Sequence, residues 1–225
     1  PRKRPLFAKP LIALALGLGA LAPTWAADAG DFFRAIHQDN DYAMRRLLED
    51  GFDPNTKSDK GVPGLYMALQ EGSMKVAAVL LQSRRLKGEQ RNASDESPLM
   101  MAALNGQIDV AKALIAKDAD VNKPGWTPLH YAATGGSLPM LQLLLDDDAF
   151  IDAQAPNGNT PLMMAAYYST PEAVKLLIEA GADVKMRNQS GKTALDFAQM
   201  AKHRNSVDLI TEALRRSQGV PRGQW

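Results

Sequence analysis

An all-α solenoid of stacked helix-turn-helix units is the fold class that this sequence predicts, and three observations predict it. A Thr-Pro-Leu motif followed by an Ala pair recurs at a spacing close to 33 residues. A second landmark, of the Gly-Ala-Asp type, precedes well-formed copies at a fixed distance. Apolar residues between the two landmarks fall at helical spacing, with glycine marking the turns. Self-similarity at such a period is the signature of a repeat array, in which one unit cannot bury its own flanks and must stack on its neighbours.

The copies are read in order. Thr127-Pro128-Leu129-His130-Tyr131-Ala132-Ala133 aligns with Thr160-Pro161-Leu162-Met163-Met164-Ala165-Ala166, 33 residues later, and Thr193-Ala194-Leu195-Asp196-Phe197-Ala198 follows after 33 more. Backwards, Ser97-Pro98-Leu99-Met100-Met101-Ala102-Ala103 lies 30 residues earlier and Pro63-Gly64-Leu65-Tyr66-Met67-Ala68 another 34. A degenerate first copy begins near Gly30, with Phe32 and Ala35 in the Leu and Ala places. The second landmark stands at Gly51-Phe52-Asp53, Asp118-Ala119-Asp120, Asp148-Ala149-Phe150 and Gly181-Ala182-Asp183.

Each first helix is started by its own residues. Ser97, Thr127 and Thr160 can accept a backbone hydrogen bond as N-caps, and the proline after each presets φ at the first helical position. Glycines at Gly72, Gly106 and Gly136 end these helices, since glycine takes left-handed dihedrals without penalty. The second helices show i, i+3, i+4 spacing, as in Val174, Leu177 and Ile178 or Val110, Ala113 and Leu114. Ser169 with Pro171 and Glu172 reads as a capping box. Gly51 and Gly181 end second helices, and Asp118 and Asp148 replace glycine at a less comfortable place. Met67, Met100, Met101, Met163 and Met164 recur beside the Ala pairs and read as packing residues. The segment Ser83 to Glu96 lacks the second landmark, and the finger around Lys123-Pro124-Gly125 is three residues short. Both read as changes of loop length, which loops tolerate cheaply.

At these residues the chain resembles the ankyrin-repeat family, over roughly residues 30 to 217. The resemblance implies β-turn fingers joining the helix pairs and a concave face that binds another protein. Carried onto the family's variable positions, it points to Asp59, Lys60, Gln70 and Glu71 in the second copy and Glu96, Leu104 and Asn105 in the third. In the fourth it points to Lys123, Trp126 and Thr134, in the fifth to Asn157, Asn159, Tyr167 and Tyr168, and in the sixth to Lys192 and Met200. Large apolar side chains concentrate at Leu104, Trp126, Tyr167 and Tyr168, the kind that dominates binding energy at interfaces. Trp126 is also in a place where the family uses Trp for packing. A monomer with no cofactor is expected.

The first 26 residues read as a secretory signal: a basic stretch from Pro1 to Pro10, an apolar run from Leu11 to Ala22, and a short end at Pro23-Thr24-Trp25-Ala26. The apolar run is shorter than the roughly 20 residues of a membrane span. Cleavage after Ala26 is expected, leaving a repeat domain over 27–217, a disordered tail over 218–225, no stable membrane insertion and a periplasmic or secreted location. Arg2, Lys3, Arg4 and Lys9 lie in that leader, so the formal charge of +1 belongs to it and the remainder is mildly acidic. Such a balance gives no basic face for nucleic acid. With no cysteine, disulfides, thiolate metal sites and cysteine nucleophiles are excluded.

No catalytic constellation is visible. His37, His130 and His203 fall in separate repeats, and neither a nucleophile elbow nor a phosphate loop occurs. Asp118, Asp120 and Asn122 begin like a calcium loop, but Lys123 stands where its glycine is needed and Leu129 where its bidentate Glu is needed. Asp146, Asp147 and Asp148 read as a solvated helix end. The expectation is therefore a non-enzymatic exported protein that binds another protein. The alternative is a dedicated inhibitor, immunity-type or accessory partner of one exported enzyme.

Overall fold

The computed structural model describes residues 28–219. Among these residues twelve helices follow one another as six pairs: α1 (Ala29–His37) with α2 (Asp41–Glu49), α3 (Gly64–Glu71) with α4 (Met74–Gln82), α5 (Pro98–Leu104) with α6 (Ile108–Ile115), α7 (Pro128–Gly135) with α8 (Leu138–Asp146), α9 (Pro161–Tyr168) with α10 (Pro171–Glu179), and α11 (Ala194–Met200) with α12 (Arg204–Gly219). Odd-numbered helices pack on odd and even on even, so two parallel rows run the length of the array. The leader over 1–26 and residues 220–225 lie outside the described residues. Gln218 and Gly219, placed in the tail by the sequence, belong to α12.

The motif builds what its chemistry dictates. Ser97 Oγ accepts from the Met100 amide at 3.3 Å and Thr160 Oγ1 from the Met163 amide at 3.4 Å. In the sixth copy the box is reciprocal, since the Asp196 carboxylate returns to the Thr193 amide at 2.6 Å. The fourth copy differs: the Thr127 hydroxyl meets His130 Nδ1 at 2.9 Å. The cap of α10 also departs from expectation. Thr170 accepts from the Ala173 amide, while Ser169 closes α9 in extended conformation.

Leu65, Leu99, Leu129 and Leu162 are buried between neighbouring pairs, as are the Ala pairs that allow the first helices to approach. Leu80, Leu114, Leu144 and Leu177 do the same in the second row. Together these side chains form one continuous core along the array. Close approach is strictest at Gly135, where an added Cβ would stand 2.1 Å from the Leu104 carbonyl oxygen. Asp118 and Asp148 carry φ of 61° and 60°, the left-handed conformation that Gly51 and Gly181 adopt freely.

Between pairs the chain forms β-turn fingers. Ser58 donates to the Val62 carbonyl, Asn92 to Glu96, Ala155 to Asn159 and Asn188 to Lys192, all at 2.9 to 3.0 Å. The finger at 92–96 corrects the loop-length reading of the polar segment: it keeps the regular form, with Asp95 at φ 62° at its tip. Leu86 is buried in the place of the landmark alanine. Arg85 caps α2 by donating to the carbonyls of Leu48, Gly51 and Phe52.

A ladder of side-chain acceptors ties successive finger bases together. Asn55 Oδ1 accepts from the Lys87 amide at 2.9 Å, Glu89 Oε2 from Asp120 at 3.1 Å, Asn122 Oδ1 from Phe150 at 2.7 Å and Asp152 Oδ1 from Asp183 at 3.0 Å. The rungs sit at equivalent places in four successive copies. Burial raises the Asp152 carboxyl, with the Asp183 amide opposing the shift.

Candidate functional site

The first helices of the middle copies and the fourth finger enclose an apolar cleft of about 260 Å³. Its walls are Leu104 at the end of α5, Trp126 at the finger base, His130, Tyr131 and Thr134 from α7, and Met164 and Tyr168 from α9. Helical spacing brings Tyr131 and Thr134 to one face of α7, and Met164 and Tyr168 to the corresponding face of α9. Trp126 meets the edge of His130 with ring centroids 5.3 Å apart. Tyr168 is 58% exposed, an unusual state for a large ring beside apolar neighbours. Tyr167 packs edge-on against both Tyr168 and Phe197 at 4.6 and 6.0 Å, which props the exposed ring from behind.

His130 is the fixed part of this cleft. Its side chain is fully buried, Nδ1 accepts from the Thr127 amide at 3.1 Å, and Nε2 donates to the Asn159 carbonyl at 2.9 Å. Burial pushes its pKa down to about 4, so it is a neutral donor-acceptor bridge between two fingers.

Beside the cleft stands Glu96. Its Oε1 accepts from Tyr131 and its Oε2 from Tyr66 and from Asn92 Nδ2, each at 2.8 Å. Burial pushes this carboxyl upward, but the three donors outweigh it and hold the group below its ordinary value. The carboxylate thus ties α3 to α7 across the third copy. Both phenols are correspondingly raised, by burial first and by Glu96 second.

The structure sorts the other positions that sequence singled out. Asp59, Lys60, Gln70, Glu71, Asn105, Asn157 and Lys192 are exposed, and Met200 is half-exposed at the array's end. Glu71 pairs with His37 Nδ1 at 2.8 Å. Lys123 and Asn159 depart from the groove-facing expectation because both are buried. Lys123 folds back inside the short finger, where Nζ donates to the carbonyls of Pro124 and Trp126 at 2.9 and 3.0 Å and meets Asp95 at 2.6 Å. Asn159 Oδ1 accepts from Asn188 Nδ2 at 2.8 Å, joining the fifth finger to the sixth. Leu104, Trp126, Thr134 and Tyr168 are the predicted residues that converge. Tyr131, Met164 and the Tyr66–Glu96–Tyr131 strap were missed, although Tyr131 and Met164 lie four residues after the motif Thr, a regular place on one helix face.

A larger groove of about 700 Å³ lies on the second row, between α10 and α12. Lys175 is paired with Glu179 and Arg216 with Glu212 along their own helices. Among the described residues there is no cluster of metal-ligating side chains and no helix long and apolar enough to cross a membrane.

Paired helices in two rows, joined by turn fingers and sharing one extended core, define a repeat solenoid. The chain belongs to the ankyrin-repeat family: the description "Ankyrin repeats (3 copies)" matches residues 32–124, 86–155 and 129–216. It is 31% identical over 148 residues to mouse "Ankyrin repeat and SAM domain-containing protein 6", covering 65% of this chain and 13% of that protein. It is 33% identical over 176 residues to "Neurogenic locus notch homolog protein 1" of Xenopus tropicalis, covering 75% of this chain and 7% of that protein. The chain therefore spans a small part of these curated relatives. Among solved structures, a chain from the complex of a predatory endopeptidase of Bdellovibrio bacteriovorus with an immunity protein is similar at a TM-score of 0.70 and 27% identity, covering 82% of this chain and 98% of that one. A crystal structure of an ankyrin repeat protein is similar in fold at a TM-score of 0.70 and 24% identity, with the same coverage of each. Ankyrin repeats are interaction modules, and the family is generally non-enzymatic.

Proposed function

We propose that this chain is an exported, non-catalytic binding protein that holds another protein against the cleft on its concave face. The observation that carries this reading is Tyr168, an exposed ring packed against Tyr167 and lining an apolar cleft together with Leu104 and Met164. Rigid aromatic anchors beside an apolar pocket are where interface energy concentrates. The charge and length of residues 1–26 support export, and N-terminal sequencing from the native host should find Ala27 first. An intact leader in the membrane fraction would mean an anchor instead.

The test of binding is capture from periplasmic extract, followed by titration calorimetry with the captured protein. Trp126→Ala and Tyr168→Ala should each weaken binding by about 1–3 kcal/mol with helicity unchanged. Equal affinity in both variants, with losses from second-row substitutions, moves the site off this face.

A second reading has its own support: a structural neighbour comes from a complex of an endopeptidase with an immunity protein. On that reading the partner is one exported enzyme, which this chain inhibits, protects against or stabilises. Adding the purified chain to the captured enzyme separates the two, since a dedicated inhibitor abolishes activity at one equivalent and a loose scaffold leaves it unchanged.

A further inference from the structure

Glu96 is an ionised, partly shielded carboxylate with no cation beside it. Among the described residues no lysine, arginine or histidine nitrogen lies within ion-pair distance of it. Three basic groups on the same and adjoining fingers are committed elsewhere: Arg91 to Glu89, Asp95 and Asp120, Lys123 to Asp95, and Lys57 to the Arg91 carbonyl. Three neutral donors hold the group in place, but they do not neutralise it. A carboxylate has about four acceptor positions. Oε2 takes two donors and Oε1 takes one, from Tyr131, so Oε1 keeps a position to spare.

Tyr131 connects this charge to the apolar cleft. Its ring is part of the cleft wall, and its hydroxyl is bonded to the carboxylate. A fixed negative charge therefore stands one hydrogen bond behind the wall of a pocket that offers apolar and aromatic surface. The charge is preorganised, because the Tyr66 and Tyr131 hydroxyls fix its position before any partner arrives. Such an arrangement favours a ligand that carries an apolar group and a cation close together, and disfavours one that carries an acid there.

We propose that the partner segment seated in this cleft presents an apolar side chain with an arginine or lysine next to it, the apolar group entering between Trp126 and Tyr168 and the cation pairing with Glu96. This inference rests on the reading of the cleft as the binding face and adds the chemistry of what fills it.

Selection from a phage-displayed random dodecapeptide library, with the full repeat array as bait, tests it. Enriched peptides should pair an apolar or aromatic residue with a nearby Arg or Lys. A synthetic enriched peptide should bind about tenfold more weakly or worse to Glu96→Gln, and replacing its Arg by the uncharged isostere citrulline should cost wild-type binding a similar factor. The two losses should not add, because each removes the same contact. The citrulline arm leaves the protein untouched, so a folding defect in Glu96→Gln does not blur the answer. Peptides that lose affinity with Tyr168→Ala but ignore both Glu96→Gln and citrulline overturn this inference and leave the cleft as the binding face. Peptides indifferent to all three changes, or no enrichment at all, remove both readings.

Discussion

His130 shows how one buried side chain sets a pH dependence. Its pKa in the fold is about 4, against an ordinary value of 6.5, so the unfolded chain takes up a proton at a higher pH than the folded one. Between those limits the unfolded state binds more protons, and stability falls as pH falls. The stabilisation is complete above about pH 6.5 and is lost by about pH 4, a ceiling of about 3 kcal/mol. Urea midpoints measured from pH 7 to 5 should decline in the wild type, while His130→Gln should be less stable at pH 7 but nearly flat across that window. Asp95, Glu96 and Asp196 carry lowered pKa values, so their contributions disappear only in more acid solution. The histidine's position was legible, three residues after the capping Thr of its motif. The inward turn of Lys123 was not. A lysine in a finger reads as solvated until one sees that the short finger leaves the carbonyls of Pro124 and Trp126 facing inward and needing a donor.

Individual helices start where proline and a hydroxyl residue tell them to, and stop where a left-handed residue allows, so element boundaries were largely readable from local chemistry. The finger bases were harder. Asn55, Glu89, Asn122 and Asp152 share a place and a task but not an identity, because the task needs only an acceptor oxygen aimed at the next copy's amide. A search by residue identity therefore finds a gap at 83–96 where the structure has a regular rung. Gly135 poses the sharpest test at this scale. Helix propensity alone says that Gly135→Ala stabilises α7 by about 1 kcal/mol. The Leu104 carbonyl at 2.1 Å from the new Cβ says otherwise, since α5 and α7 would have to part. The expected result is a net loss of about 1–3 kcal/mol by urea denaturation. A gain would show that the two helices separate without cost.

Across the whole array, each pair borrows its core from its neighbours, and local damage should travel. Leu162 is 1% exposed within the continuous core. Leu162→Ala should cost about 2–5 kcal/mol. Hydrogen exchange should show faster opening in α7 and α11 as well as in α9, because nearest-neighbour coupling carries the stability of a solenoid. A loss below about 0.5 kcal/mol, the level of a surface site, would mean that the residue is not held between copies. The repeat itself was legible because its period recurs. The cleft was only half legible, since its walls come from three copies and sequence alone does not say which exposed rings converge.

The fourth finger, short by three residues and drawn in by Lys123, breaks an otherwise even palisade of turns. Its neighbours at 92–96 and 155–159 keep their full reach on either side. A notch of this kind should change the directions of entry, with a polypeptide crossing the row beside Trp126 toward Tyr168 at an angle to the array axis. Where an unbroken row would guide a bound strand lengthwise, a notched one would act as a gateway, and restoring the three missing residues should weaken binding of a bulky peptide while leaving helicity unchanged.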